Sequence, residues 1–303
     1  MPRLIVLPEL EDINYFYNED QNRSENDENN KIRENIISNI FYVNASYFVD
    51  PEYGCKWRNL KDKFVYAMNE ISPFETCKIK HMAGRNNNYD FNVTFYDESN
   101  NKLEEINLEF KYNATIINDA PQFVSPMKPS QYLSNSFEEN YYENYLIPLF
   151  SNFGLTIPEK ELYLKSIHTN KPDCVKDAQI LYYKGSKQSS QYTGEENAIT
   201  FYESANKASK ECIKKFIENT ELDTEKLSQY LVTSQDKKIY LLYRSGTFNI
   251  QYTNPDDYII ESYVKNPTKY RYEALTKSQR RINILLRWKN GNGIAYPAFQ
   301  ISW

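Results

Sequence analysis

Hydrophobic residues along this chain keep two rhythms. Ile32, Ile36, Ile37, Ile40 and Phe41 recur at helical spacing and predict a helix from about Asn30 to Val43. Leu60, Phe64, Met68 and Ile71 predict a second, after a connection over 51–58. A strand is expected over 75–82. The period then becomes two. Phe91, Val93 and Phe95 alternate with Asp90, Asn92, Thr94 and Tyr96, and Ile106, Leu108 and Phe110 alternate with Glu105, Asn107, Glu109 and Lys111. The polar run 97–102 between them makes the pair a hairpin. Upstream, Leu4 to Leu7 reads as a short edge strand, and the acidic, aperiodic 18–30 reads as a loop.

Beyond the hairpin, Asn118 or Asp119 can cap a helical turn at Pro121. Ser136 to Glu139 is a capping box for a helix ending near Phe153-Gly154, and Pro158 opens another over 159–168. Ile180 to Tyr183 fits either a strand or a helical turn. Thr200 to Glu203 reads as a second capping box, and Asp223 or Thr224 caps a helix ending near Val232. Strand patterns return at 239–243 and 247–251, flanking Ser245-Gly246, then at 258–264, 270–275, 282–288 and 294–301. Asn290 to Gly293 is a turn signal before the last strand. The predicted class is α/β, with a mixed central sheet flanked by helices and a helical, then β-rich, C-terminal extension. The expected division is 1–155 and 156–303, with a single continuous domain as the alternative.

Composition narrows this modestly. A chain of 303 residues, 40% hydrophobic and 25% charged, has enough apolar material for a sizeable core. No apolar run approaches a membrane span, and the first ten residues do not form a signal peptide, so a soluble protein with no membrane partner is expected. Cys55, Cys77, Cys174 and Cys212 form no C-x-x-C pair, which points to a reducing intracellular compartment and away from structural zinc. His81 and His168, the only histidines, read as ordinary core or surface residues. The net charge of −5 does not announce a nucleic-acid binder, but its distribution is uneven. Glu9 to Glu34 is acidic. Tyr263 to Lys289 carries Lys265, Lys269, Arg271, Lys277, Arg280, Arg281, Arg287 and Lys289 against Glu273 alone. That stretch fits a phosphate-binding surface or a sheet edge protected by charge.

The hairpin carries the candidate chemistry. With Asn100 and Asn101 at its tip, Asp90 lies opposite Lys111 and Asn92 opposite Glu109, all on one face. Asp90 and Glu109 are then diagonal neighbours, about 7–8 Å apart at the backbone, a span one divalent ion can bridge. A nearby ammonium can orient or deprotonate a water. An ordinary hairpin with a solvated polar face fits the same residues.

Asp90 and the triplet Glu109-Phe110-Lys111 resemble the motif of the PD-(D/E)XK nuclease superfamily, over roughly Asn59 to Phe150. Tyr89 stands where the motif has proline. The resemblance implies a restriction-endonuclease-like αβββα core and Mg2+-dependent hydrolysis of double-stranded DNA, with Mn2+ as a possible substitute. It implies that Asp90, Glu109 and the Phe110 carbonyl hold metal, that Lys111 positions water, and that Gln122 supports the site. Glu70 is a candidate extra metal acid, or a solvated helix residue. The nucleic-acid-binding candidates are Arg85, Lys269, Arg271, Arg280, Arg281 and Arg287. A site-specific restriction-type enzyme, working as a homodimer by analogy, is the leading expectation. The alternatives are a non-catalytic nucleic-acid-binding protein and a repair, recombination or RNA nuclease.

Overall fold

The computed structural model describes residues 6–18, 23–82, 88–117, 128–169, 172–289 and 293–303. The chain forms two compact units, one of 1–121 plus 235–254 and one of 122–234 plus 255–303. The division therefore falls at Pro121 rather than at 155, and the first unit takes back a segment from late in the sequence.

The first unit begins with a 3-10 segment, Leu10–Phe16, then α1 (Arg23–Asn39), α2 (Ala45–Val49) and α3 (Gly54–Ile71). Three strands follow: β1 (Thr76–His81), β2 (Phe91–Tyr96) and β3 (Lys102–Tyr112). α1 starts well before Asn30, inside the stretch read as a loop. Its polar N-terminal turns carry no apolar stripe, so periodicity is silent there. α3 likewise starts within the expected connection, and Trp57 in its first turns is fully buried. Residues 6–9 form no strand.

β1–β2–β3 is an antiparallel meander, and the five-stranded mixed sheet runs in the order β1-β2-β3-β4-β5. β4 (Lys238–Arg244) lies parallel to β3, and β5 (Thr247–Tyr252) returns antiparallel through Ser245 and Gly246, both at positive φ. A parallel pair needs a long crossover. Here the crossover contains the first segment of the second unit. The 239–251 hairpin thus belongs to the first sheet and not to a C-terminal extension. One face of this sheet buries Ile79, Phe91, Val93, Phe95, Leu108 and Leu241 against Ile36, Ile37 and Ile40 of α1 and Trp57, Leu60 and Phe64 of α3. Trp57 donates its indole N–H to the Leu10 carbonyl at 2.9 Å, tying the 3-10 segment to α3.

The second unit opens with α4 (Phe137–Tyr141), a π-helical turn over Tyr142–Leu146 and α5 (Ile147–Asn152). Ser136 caps α4, accepting the Glu139 amide at 3.3 Å. α6 (Lys160–Ser166) and α7 (Lys176–Gly185) follow, so Ile180 to Tyr183 is helical. α8 (Glu196–Asn219) starts four residues before Thr200. The Thr200 hydroxyl donates back to the Glu196 carbonyl at 2.9 Å, an interior helical bond rather than a cap. α9 (Thr224–Ser234) is capped by Asp223, which accepts the Lys226 amide at 3.0 Å. The antiparallel sheet β6 (Ile260–Asn266), β7 (Arg271–Thr276), β8 (Arg281–Trp288) and β9 (Pro297–Ser302) completes the unit. Its inner face buries Tyr272, Ile284, Leu286 and Phe299 against α4, α8 and α9.

All four cysteines are free, and no described helix is long and apolar enough to cross a membrane.

Candidate active site

The β2–β3 hairpin pairs Phe91 with Leu108 and Asn92 with Asn107. Asp90, one residue before β2, continues this register directly across from Glu109, rather than opposite Lys111. The difference is a shift of two residues. It arises at the tip: the turn from Asp97 to Asn101, with Asn100 at φ 59°, centres on Ser99 rather than on Asn100-Asn101, and a bulge at Phe95/Tyr96, where Leu103 is the extra residue of β3, restores one residue of register. A shift of two preserves the face of every side chain, whereas a shift of one would have moved them through the sheet. Asp90, Asn92, Asn107, Glu109 and Lys111 therefore share a face, opposite the one buried under α1 and α3. Asn92 donates to Asn107 across this face at 3.4 Å.

Asp90 is held from below. Its Oδ2 accepts the Phe110 amide at 2.8 Å, and its own amide donates to the Leu108 carbonyl at 3.1 Å. The Phe110 N–H thus points past the end of β2. Within a strand, the carbonyl of a residue points the same way as its N–H, so the Phe110 carbonyl is directed to the Asp90 edge.

Glu109 is gripped by two lysines. Lys111 Nζ lies 2.5 Å from Oε1, and Lys238 Nζ, from the start of β4, lies 3.4 Å from Oε2. Glu109 is 14% exposed and Lys238 only 3%, so both pairs are largely desolvated. Glu34 of α1 pairs with His81 of β1 at 2.9 Å, and its charge also reaches Asp90 and Lys111. Three carboxylates and two ammonium groups are thereby assembled from α1, β3, β4 and the residue preceding β2.

The electrostatics follow from this crowding. Burial, and then the neighbouring Glu109 charge, push the Asp90 carboxyl up to about 7; Lys111 and the Phe110 amide pull the other way without prevailing. Burial pulls the Lys111 ammonium down, but Glu109, Asp90 and Glu34 together outweigh it and hold its pKa above the ordinary value. Lys238 shifts the other way: burial dominates, Glu109 resists, and the net direction is down. At neutral pH Lys111 is therefore firmly a cation, while Asp90 sits near the midpoint of its titration.

The oxygen donors available to a cation are the Asp90 and Glu109 carboxylates and the Phe110 carbonyl. Hard oxygen donors of this kind suit Mg2+, which commonly uses one or two carboxylates and takes its remaining ligands from water and substrate phosphate. Among the described residues, no group of three or more His, Cys, Asp or Glu side chains converges to hold a metal. Any ion here would rely on the carboxylate pair and the backbone.

Glu70 is exposed at the end of α3; the helix acid that reaches the pair is Glu34 of α1. Gln122 and Arg85 lie outside the described residues. In the second unit, Arg271 pairs with Glu273 at 2.5 Å, Arg280 pairs with Asp257 at 2.8 Å, and Arg287 donates to Gln300 and to the Lys289 carbonyl. Lys269 and Arg281 are exposed. The basic stretch is thus partly neutralised within its own unit. Glu34 and Lys238 escaped sequence reasoning, because nothing in a lone helix acid or a lysine preceding a strand foretells their position beside Glu109. No family model matches this chain, and no curated protein matches it in sequence.

Proposed function

We propose that this chain is a metal-dependent endonuclease of the PD-(D/E)XK type, hydrolysing phosphodiester bonds in double-stranded DNA. One observation carries the reading: Asp90 and Glu109 face each other across two paired strands, with the Lys111 ammonium on Glu109. The order α3–β1–β2–β3, with this pair and lysine at the strand ends, is what the resemblance implies for the nuclease core.

Asp90 and Glu109, with the Phe110 carbonyl, would hold Mg2+ or Mn2+. A bound divalent ion supplies Lewis acidity, lowering the pKa of water and neutralising charge on a phosphate oxygen. The chain's own groups divide the remaining work. Lys111, held protonated by three carboxylates, orients the attacking water by donating to it and balances the growing phosphate charge; it is not a base. Asp90 holds a proton near neutral pH that must leave before its carboxylate can take a cation. Attack at phosphorus with cleavage of the P–O3′ bond would leave a 5′-phosphate and a 3′-hydroxyl.

A site-specific restriction-type enzyme is the subclass we favour, because the second unit offers a large surface for base recognition. Homodimerisation follows by analogy alone. The rival reading, a non-catalytic DNA-binding protein, draws support from the full neutralisation of Glu109 by two lysines.

Incubation with long duplex DNA and Mg2+ or Mn2+ tests the proposal. Discrete fragments that vanish with Asp90→Ala support a site-specific nuclease. Intact DNA under every metal condition rejects it. Cleavage of only branched, single-stranded or RNA substrates would move the assignment to a repair, recombination or RNA nuclease.

A further inference from the structure

α8 is the longest helix of the second unit, and it is strongly two-sided. Phe201, Ala205, Ser209, Cys212, Phe216 and Ile217 face the core. On the opposite side, Lys207, Lys210 and Lys214 occupy one stripe at i, i+3 and i+7, all exposed. At 1.5 Å of rise per residue this stripe advances about 10 Å along the axis. That matches about three phosphates of one DNA strand, which carries a charge roughly every 3.4 Å of helix axis.

The stripe forms one wall of an open groove of about 680 Å3, lined also by Tyr202, Asn206 and Tyr270. Tyr270 follows the 3-10 turn Pro267–Lys269, which packs against α8. Its backbone is left-handed, at φ 58° and ψ 33°, a conformation that costs a bulky side chain energy. The surroundings hold it there: its amide donates to Pro267 at 3.1 Å, and its carbonyl accepts the Leu286 amide at 3.0 Å. The strained residue thus sets an aromatic hydroxyl-bearing side chain in the lining of the groove together with the lysines.

Charge decides what the groove accepts. Two acids also line it, Glu203 and Glu211. Glu211 is paired with Lys215, at 2.7 Å. Lys207, Lys210 and Lys214 form no ion pair among the described residues, in contrast to Lys160, Lys226, Lys265 and Lys277 of the same unit. Lys269 adds a further exposed cation beside Tyr270. Glu211 also feels Lys207, and the Asn206 amide is engaged by Tyr182 and the Tyr202 carbonyl, but three exposed lysines against two acids leave a surplus of ammonium groups at phosphate spacing, with Tyr270 beside them, as a backbone-contacting surface requires.

We propose that this groove seats one strand of duplex DNA by its phosphates, with Lys207, Lys210, Lys214 and Tyr270 as the contacts. The choice of DNA as the polyanion rests on the nuclease reading of the first unit. The DNA contact of the second unit is thereby placed on α8 rather than on the paired arginines of β7 and β8.

The test measures binding of the full chain to a fluorescent duplex in Ca2+ buffer across a salt series. A Lys207→Gln/Lys210→Gln/Lys214→Gln variant should bind at least about 10-fold more weakly, and its salt slope should flatten by about 0.9 per lost phosphate contact, near 3 in all. Tyr270→Gly keeps the left-handed backbone without the ring and should also weaken binding. A control variant, Lys160→Gln/Lys226→Gln/Lys277→Gln, removes the same charge from ion-paired lysines of the same unit and should bind like wild type. Equal loss in both triple variants would mean net charge alone matters and would overturn the groove. Unchanged binding in the groove variant would overturn it as well, leaving the nuclease reading intact if DNA is still cut. Groove-dependent binding by a protein that never cuts would uphold the groove and reject the nuclease reading. Failure of wild-type protein to bind duplex would reject the groove outright.

Discussion

The Phe110 amide donates to Asp90 Oδ2 at 2.8 Å, fixing a carboxyl that burial and Glu109 push up to about 7. This bond favours the ionised form, yet it does not offset desolvation. The folded protein therefore binds a proton at Asp90 more tightly than the unfolded chain does.

The consequence for stability has a definite sign. Between the ordinary carboxylate range near 4 and about 7, the native state holds a proton that the unfolded state has lost, so stability falls as pH rises through this window. Asp90→Asn keeps the Phe110 bond and never ionises. It should match wild type near pH 4 and exceed it at pH 8 by roughly 2–4 kcal/mol. Urea denaturation at the two pH values measures this. A gap independent of pH would remove Asp90 as the titrating group.

The same proton competes with a cation. Mg2+ affinity in the absence of DNA should rise with pH up to about 7 and level off above it, with proton release on binding below that point. Calorimetric titration in two buffers of different ionisation enthalpy reads both quantities. A flat affinity from pH 5 to pH 8 would contradict a metal site at Asp90.

Lys111 separates cutting from binding. Lys111→Ala removes the ammonium from Glu109 Oε1 and leaves both carboxylates. Cleavage should drop by a factor on the order of 10² or more, while duplex binding in Ca2+ changes little. Parallel loss of binding and cleavage would indicate that Lys111 is a phosphate anchor instead.

How far the sequence foretold this site depends on the range of the interactions involved. Phe91, Val93, Phe95, Ile106, Leu108 and Phe110 alternate because one sheet face is buried, and that local rule put Asp90, Glu109 and Lys111 on the other face. The tip was misplaced because the turn centres on Ser99 and nothing within the all-polar run 97–102 marks which residues make it; the bulge at Phe95/Tyr96 leaves no mark in polarity either. Other features were not local. Strand patterning marks 239–243 but not its partner, so the parallel pairing with β3 and the arrival of Lys238 beside Glu109 could not be read. Glu34 lies in the part of α1 that the apolar stripe marks, yet the stripe does not say that this helix packs beside β1, and the box at Thr200 is overridden by a helix already begun at Glu196. Burial supplied what sequence could read; long-range pairing supplied what it could not.

The second unit has its own test at Gly185, the last residue of α7. A Cβ there would lie 2.0 Å from the Ala198 carbonyl oxygen, within the backbone of α8. Gly185→Ala should cost about 1–3 kcal/mol or more through forced separation of the two helices. Gly154, at φ +64°, has open space around it. Gly154→Ala should cost only the backbone penalty, about 1–2 kcal/mol, and Gly154→Asn less. If Gly185→Ala proves as mild as Gly154→Asn in thermal melts, the tight α7–α8 contact is not present in solution.

Lys238 is the least expected member of the site, and its role can be separated from that of Lys111. Its Nζ is 3.4 Å from Glu109 Oε2, and it is almost fully buried at the start of β4. A desolvated lysine in this position acts as a counter-charge, occupying in the metal-free protein part of the field a cation would fill. Lys238→Met should leave one side of a buried carboxylate uncompensated and destabilise the metal-free protein by about 1–3 kcal/mol, less than for a fully broken pair because Lys111 remains. Mg2+ should then bind the variant more tightly than wild type, since no ammonium competes for Oε2. The increase in melting temperature on adding Mg2+ should accordingly be larger for Lys238→Met than for wild type, and Lys238→Arg should behave as wild type. Thermal melts of the three proteins with and without Mg2+ decide the matter without any cleavage assay. Equal Mg2+ shifts in all three would show that Lys238 does not share Glu109 with a metal, and would limit its role to packing against Tyr240, whose ring centroid lies 4.9 Å from Nζ.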